Sequence, residues 1–184
     1  MSEFKDIKTL IIDPAGHSKA LLRKLLTNFG VSRIMTTHAT DEALVMLRRE
    51  SFSIVFLDEM AGPLKPIGFL RMLRRDLNTS DVTIPVVLVS AGADAGKITA
   101  ARDAGMNDVI SKPVSVQTIE RKLRSLLAAP RPFVTAKAFV GPDRRTPRDD
   151  RRQFGERPPK HDRRGKKLAS VFAIGPRLNT DETF

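Results

Sequence analysis

Apolar residues over the first 129 positions recur with two alternating periods, near two and near 3.6, as expected where strands and amphipathic helices follow one another. Residues 7–12 form a short apolar run. Residues 18–29 then place Leu21, Leu22, Leu25 and Leu26 on one helical face, and Gly30 stops the helix. A second strand is predicted over 31–35 and a second helix over 41–49, with Ala43, Leu44, Met46 and Leu47 as its apolar side. The runs Ile54-Val55-Phe56-Leu57 and Pro85-Val86-Val87-Leu88-Val89 carry no polar alternation, the mark of strands buried on both faces. Helices over 68–76 and 94–104, a fifth strand over 107–110 and a last helix over 116–127 complete the pattern. Strand and helix alternate five times, which predicts an α/β fold with a doubly wound, five-stranded parallel sheet covered on both faces.

In such a sheet ligands sit outside the carboxyl ends of the strands, so polar residues directly after strands carry the most weight. Asp13 follows the first strand, Asp58 the third, Ser90 the fourth and Lys112 the fifth. Alone, Asp13 reads equally well as a helix cap and Lys112 as a solvated surface lysine. Together the four suit phosphoryl transfer to a carboxylate. One acid accepts the phosphoryl group, a second helps to hold a divalent cation, and a hydroxyl and an ammonium meet the remaining oxygens.

The segments LIID at 10–13, VFLDEM at 55–60, IPVVLVSA at 84–91 and DAGMNDVISKP at 103–113 resemble the CheY-like receiver domain of bacterial two-component response regulators, over about residues 5–128. The resemblance implies a receiver (flavodoxin-like) fold. It also implies Asp58 as phosphoacceptor, Ser90 as switch hydroxyl, Lys112 as phosphate-contacting lysine, and Asp13 with Asp58 as magnesium ligands. Three positions depart from the family pattern. Pro14 stands where a second acid is usual and supplies neither a carboxylate nor a backbone donor, so Mg2+ binding is expected to be weak or vestigial. Gly68 stands ten positions after Asp58 rather than eight, which implies a loop two residues longer beside the site. Val109 replaces the aromatic switch residue.

From Pro130 onward the periodicity ends. Residues 1–129 hold 18 basic and 14 acidic side chains, net +4, while residues 130–184 hold 14 basic and 7 acidic, net +7, of a total of +11. Domains are therefore expected at 1–129, a receiver-like body, and at 130–184, a largely disordered, arginine-rich tail that orders on ligand binding. Phe133-Val134, Phe139-Val140 and Val171-Phe172-Ala173-Ile174 are the tail's short apolar anchors. Arg144, Arg145, Arg148 and Arg152 offer planar forks and stacking faces, and Asp143 a carboxylate for a guanine edge.

FVGPDRRTPRDDRR resembles the tail of receiver-like cyclic di-GMP effectors of the alphaproteobacterial flagellar motor. That likeness implies a cyclic di-GMP site at Asp143, Arg144, Arg145, Arg148 and Arg152, coupled to docking on a protein partner such as a flagellar motor component. The function expected is thus a non-enzymatic signalling effector. A single-domain response regulator phosphorylated on Asp58, a nucleic-acid-binding tail and a membrane or acidic-protein tether stay open as alternatives, the second opposed by interspersed acids and the lack of a reading module, the third by the lack of an amphipathic helix. No cysteine is present, which excludes disulfides and thiolate chemistry, and His17, His38 and His161 are too scattered for a transition-metal site. No GxxxxGK[ST] loop supports an independent kinase or hydrolase. No apolar run is long enough for stable membrane insertion and MSEFKDIKTL lacks a signal-peptide core, so a cytoplasmic protein is expected, recruited to the flagellar motor or cell pole.

Overall fold

The computed structural model describes residues 3–144, except 77, 80, 93, 129, 137 and 138. Its strands and helices alternate in chain order: β1 (Lys8–Ile12), α1 (Gly16–Asn28), β2 (Arg33–Thr37), α2 (Thr40–Arg49), β3 (Ile54–Asp58), α3 (Pro66–Leu73), β4 (Val86–Ser90), α4 (Ala95–Asp103), β5 (Asp108–Ser111) and α5 (Val116–Ala128). The five strands form one parallel sheet in the order β2-β1-β3-β4-β5. Side-chain alternation along each strand sends residues to two separate cores. Leu10, Ile12, Val55, Leu57, Val86 and Leu88 pack with Leu44 and Leu47 of α2, with Phe69, Leu70 and Leu73 of α3, and with Ala101 of α4. Ile11, Ile54, Phe56, Val87, Val89 and Ile110 face the opposite way, against Leu22, Leu25 and Leu26 of α1 and Ile119 and Leu123 of α5.

Two expected boundaries move for reasons of local geometry. The strand expected at 31–35 runs instead from Arg33 to Thr37. Gly30, at φ 85°, and Val31 donate to the carbonyls of Thr27 and Leu26, which closes α1 in a Schellman turn and uses Val31 as its buried apolar plug. The third helix starts at Pro66, where a proline at the first turn loses no hydrogen bond, and ends at Leu73 rather than 76. The lengthened loop before it is tied down by Thr40 of α2, whose backbone N–H donates to Gly62 O at 2.7 Å and whose hydroxyl accepts from Leu64 N at 2.9 Å.

The expected border at residue 129 is corrected, because the compact body runs through Arg144. Two short strands, β6 (Phe133–Thr135) and β7 (Val140–Pro142), pair antiparallel to form a hairpin. Its apolar side is set against the turn between α4 and β5, with Gly105 and Gly141 in close approach. A Cβ on Gly105 would lie 2.6 Å from the Val140 carbonyl oxygen, and one on Gly141 would lie 2.9 Å from the Gly105 Cα. Phe133 stacks with Arg74, its ring centroid 5.2 Å from the guanidinium carbon. Of the apolar anchors, Phe133-Val134 and Phe139-Val140 thus belong to the hairpin, while those at 171–174 fall outside the described residues. Residues 145–184 lie outside the described residues.

Candidate functional site

The parallel order places the switch point between β1 and β3, and the register pairs Ile12 with Leu57, so Asp13 and Asp58 end neighbouring strands. Both are buried, as is Ser90 at the end of β4. Lys112 follows β5, and its backbone N–H donates to Ser90 O at 2.8 Å, which fixes the β5 end against β4. The Lys112 ammonium reaches Asp58 Oδ2 at 2.5 Å. That oxygen is buried and, among the described residues, has no hydrogen-bond partner apart from this ion pair, while Asp58 Oδ1 accepts from Met60 N at 2.9 Å. Asp13 Oδ1 accepts from Ala15 N at 2.7 Å. Asp58, Ser90 and Lys112 therefore converge at one rim of the sheet, as their sequence positions suggest, and Asp13 stands beside them.

Glu59 was not singled out in the sequence, and it holds the fourth strand's end. Its carboxylate accepts from the Ser90 hydroxyl at 2.7 Å through Oε2 and from Ala91 N at 2.5 Å through Oε1. The Ala91 N–H, then the Ser90 hydroxyl, hold the Glu59 carboxyl below the usual glutamate range, with Lys97 and Lys112 adding to the pull. The only signal for it in the sequence is adjacency to Asp58.

At the other end of the sheet the structure adds a second missed residue. Arg74, just past α3, is buried and donates to Gly105 O, Val82 O, Ile84 O and Asn107 Oδ1. Burial lowers its pKa to about 10. Arg144, expected in a ligand site, does structural work here. It donates to Arg102 O and to Met106 O, at 2.9 Å for the latter, and lies over the Phe139 ring at 5.6 Å. It thereby braces the Arg102 carbonyl in the last turn of α4 and the Met106 carbonyl in the turn that follows. Burial, then the nearby Arg102, lower its pKa. Asp143 N–H donates to Pro132 O across the hairpin. Arg145, Arg148 and Arg152 lie outside the described residues.

A divalent cation finds two carboxylates at this rim. Among the described residues no group of three or more His, Asp or Glu is placed to hold a metal. Asp13 and Asp58 are oxygen donors of the kind magnesium takes, and with two carboxylates alone the ion would keep most of its water there.

The response regulator receiver domain family matches residues 9–124. This chain belongs to that family. The receiver is 25% identical over 129 residues to a probable chemotaxis protein CheY of Rhizobium etli, an alignment covering 70% of this chain and 98% of that one. It is 29% identical over 119 residues to the chemotaxis protein CheY-3 of Vibrio cholerae, covering 65% and 90%. Among solved structures, the receiver domain of a sensor histidine kinase from Pseudomonas aeruginosa, with magnesium coordinated in its active-site cleft, superposes with a TM-score of 0.60 at 20% identity, covering 67% of this chain and 98% of that one. A Vibrio cholerae CheY4 structure gives 0.59 at 17%, covering 66% and 98%. Those two likenesses concern the fold. Among the described residues no helix is long and apolar enough to cross a membrane.

Proposed function

We propose that this receiver is a non-enzymatic signalling protein that takes a phosphoryl group on Asp58 and passes on the change by docking to a protein partner. The observation that carries this reading is the 2.5 Å pairing of Lys112 with the buried, otherwise unpartnered Oδ2 of Asp58. An Asp58 carboxylate oxygen forms the new bond to phosphorus while the bond from phosphorus to the donor's leaving group breaks and its electron pair leaves with that group. Lys112 offsets the charge of the arriving phosphoryl oxygens. Asp13 and Asp58 would hold Mg2+, which supplies further charge neutralisation when bound. With Pro14 in place of an acid, the reaction is slow. Incubation with acetyl phosphate and magnesium, read by intact mass, is expected to add one phosphoryl group slowly and incompletely, and Asp58→Asn abolishes it. An unmodified wild-type chain overturns the reading.

A second reading assigns cyclic di-GMP to the arginine cluster, with the bound state organising a docking surface for a partner such as a flagellar motor component. The support for it is the run of arginines with Asp143 in the sequence, of which Arg144 already donates to the Arg102 and Met106 carbonyls. Since Arg144 also supports the fold, its loss would confuse binding with stability. The discriminating variant is Arg145→Ala/Arg148→Ala. Calorimetric titration at near-physiological salt with cyclic di-GMP, cyclic di-AMP, GTP and mixed DNA is expected to show guanine-selective binding that this variant loses. Equal binding of all four favours a nucleic-acid or general anion tail instead.

A further inference from the structure

The Ser90 hydroxyl and the Ala91 N–H form a pair of donors at the end of β4, beside the carboxylate proposed to accept a phosphoryl group. An anion attached to Asp58 would need such donors, and both are already bound to the Glu59 carboxylate. Glu59 is the residue next to Asp58, and its own N–H donates to Val89 O at 3.0 Å, so β3 and β4 hold it in place. Gly92 N points back to the Ser90 oxygen at 3.3 Å, which leaves that hydroxyl's proton committed to Glu59. A carboxylate resembles two oxygens of a phosphoryl group in charge and in spacing of acceptors. From this geometry we propose that Glu59 is a built-in anion that occupies the phosphoryl group's place on Ser90 and Ala91 and competes with phosphorylation of Asp58.

The inference deepens the phosphoacceptor reading and rests on it for its consequence, though not for its geometry. Glu59 is a positioning residue: it acts through Ser90 and Ala91 and touches no reacting atom. Two effects oppose phosphorylation. The arriving phosphoryl oxygens must displace the carboxylate from two charge-assisted hydrogen bonds, and the displaced negative charge stays close by. A lost charge-assisted bond of this kind corresponds to roughly a ten-fold change or more in an equilibrium or rate constant.

Two readouts separate the latch from the reading beneath it. The first needs no phosphodonor: amide hydrogen exchange at Ala91 in the full chain. Glu59→Ala is expected to speed that exchange about ten-fold or more, and Glu59→Gln, which keeps the side chain's shape and one acceptor, by less. Unchanged Ala91 exchange in both variants, with the β-sheet amides still protected, overturns the latch. The second is the rate of acetyl phosphate modification with magnesium. Glu59→Ala is expected to be modified about ten-fold faster than wild type, and the gain disappears when Ser90→Ala is added. An equal or slower rate in Glu59→Ala, while wild type is modified, overturns the competition. If Ala91 exchange responds but no chain is modified on Asp58, the phosphoacceptor reading fails and Glu59 stands as the occupant of the donor pair.

Discussion

Arg74 shows how a single side chain can hold an end of this sheet. Its guanidinium serves three backbone carbonyls and the Asn107 side chain. Arg74→Ala would leave Val82, Ile84 and Gly105 carbonyls short of a donor in a buried setting and take away the surface on which Phe133 stacks. The expected loss is about 3 kcal/mol or more, read as a lower urea midpoint at unchanged slope. Nothing in the sequence marks it, because its burial arises only when the ends of α3, β4 and β5 meet. Asp13, Asp58, Ser90 and Lys112 were readable for the opposite reason. Each stands at or just past the end of a strand's apolar run, and a parallel sheet brings such positions to one rim whatever the details of packing. Glu59 escaped that logic since its partner, Ser90, is 31 positions away and on another strand.

Among the elements, the five strands and five helices were readable from period alone, while the hairpin was read only as isolated apolar anchors. Each strand is three residues long, too short for alternation to show, and the antiparallel pair is settled by contact with the turn at Gly105. Gly141→Ala places a methyl against the Gly105 backbone, so the hairpin should loosen while the main sheet persists. Amide exchange should accelerate across 133–135 and 140–142 and stay slow in β3 and β4. Helix α2 is joined to the chain after α3 by Arg48, whose Nε donates to Asp76 Oδ2 at 2.7 Å. That bond, followed by the Asn78 N–H, holds the Asp76 carboxyl below the usual aspartate range. The unfolded chain then binds the proton at higher pH than the native one. The stabilisation is complete above the ordinary aspartate range and vanishes as pH falls through the lowered value. As an exposed pair it contributes about 0.5 kcal/mol, so Asp76→Asn should make the acid limb of the stability curve slightly shallower.

Across the whole described body the site and the hairpin occupy opposite ends of the sheet. The site gathers at the carboxyl ends of β1, β3, β4 and β5, whereas the hairpin meets Gly105 and Arg74 beside the amino ends of β4 and β5. Helix α4 links the two ends in the chain, since Arg144 holds its last turn and its start follows the loop that Glu59 binds. A chain shortened after residue 129 should melt several degrees lower than one shortened after Arg144, for the loss of roughly 1–2 kcal/mol of hairpin contacts. On the proposed reading, Pro14, seen in the sequence, and the Glu59 latch, seen in the structure, both slow phosphoryl transfer to Asp58. The rate of phosphoryl addition to Asp58, followed by intact mass under limiting magnesium with acetyl phosphate, tests this most directly when wild type is set beside Pro14→Asp and Asp58→Asn. Restoring the missing acid should raise the rate about ten-fold or more, with Asp58→Asn unmodified. An equal rate in wild type and Pro14→Asp, or continued modification of Asp58→Asn, would contradict it.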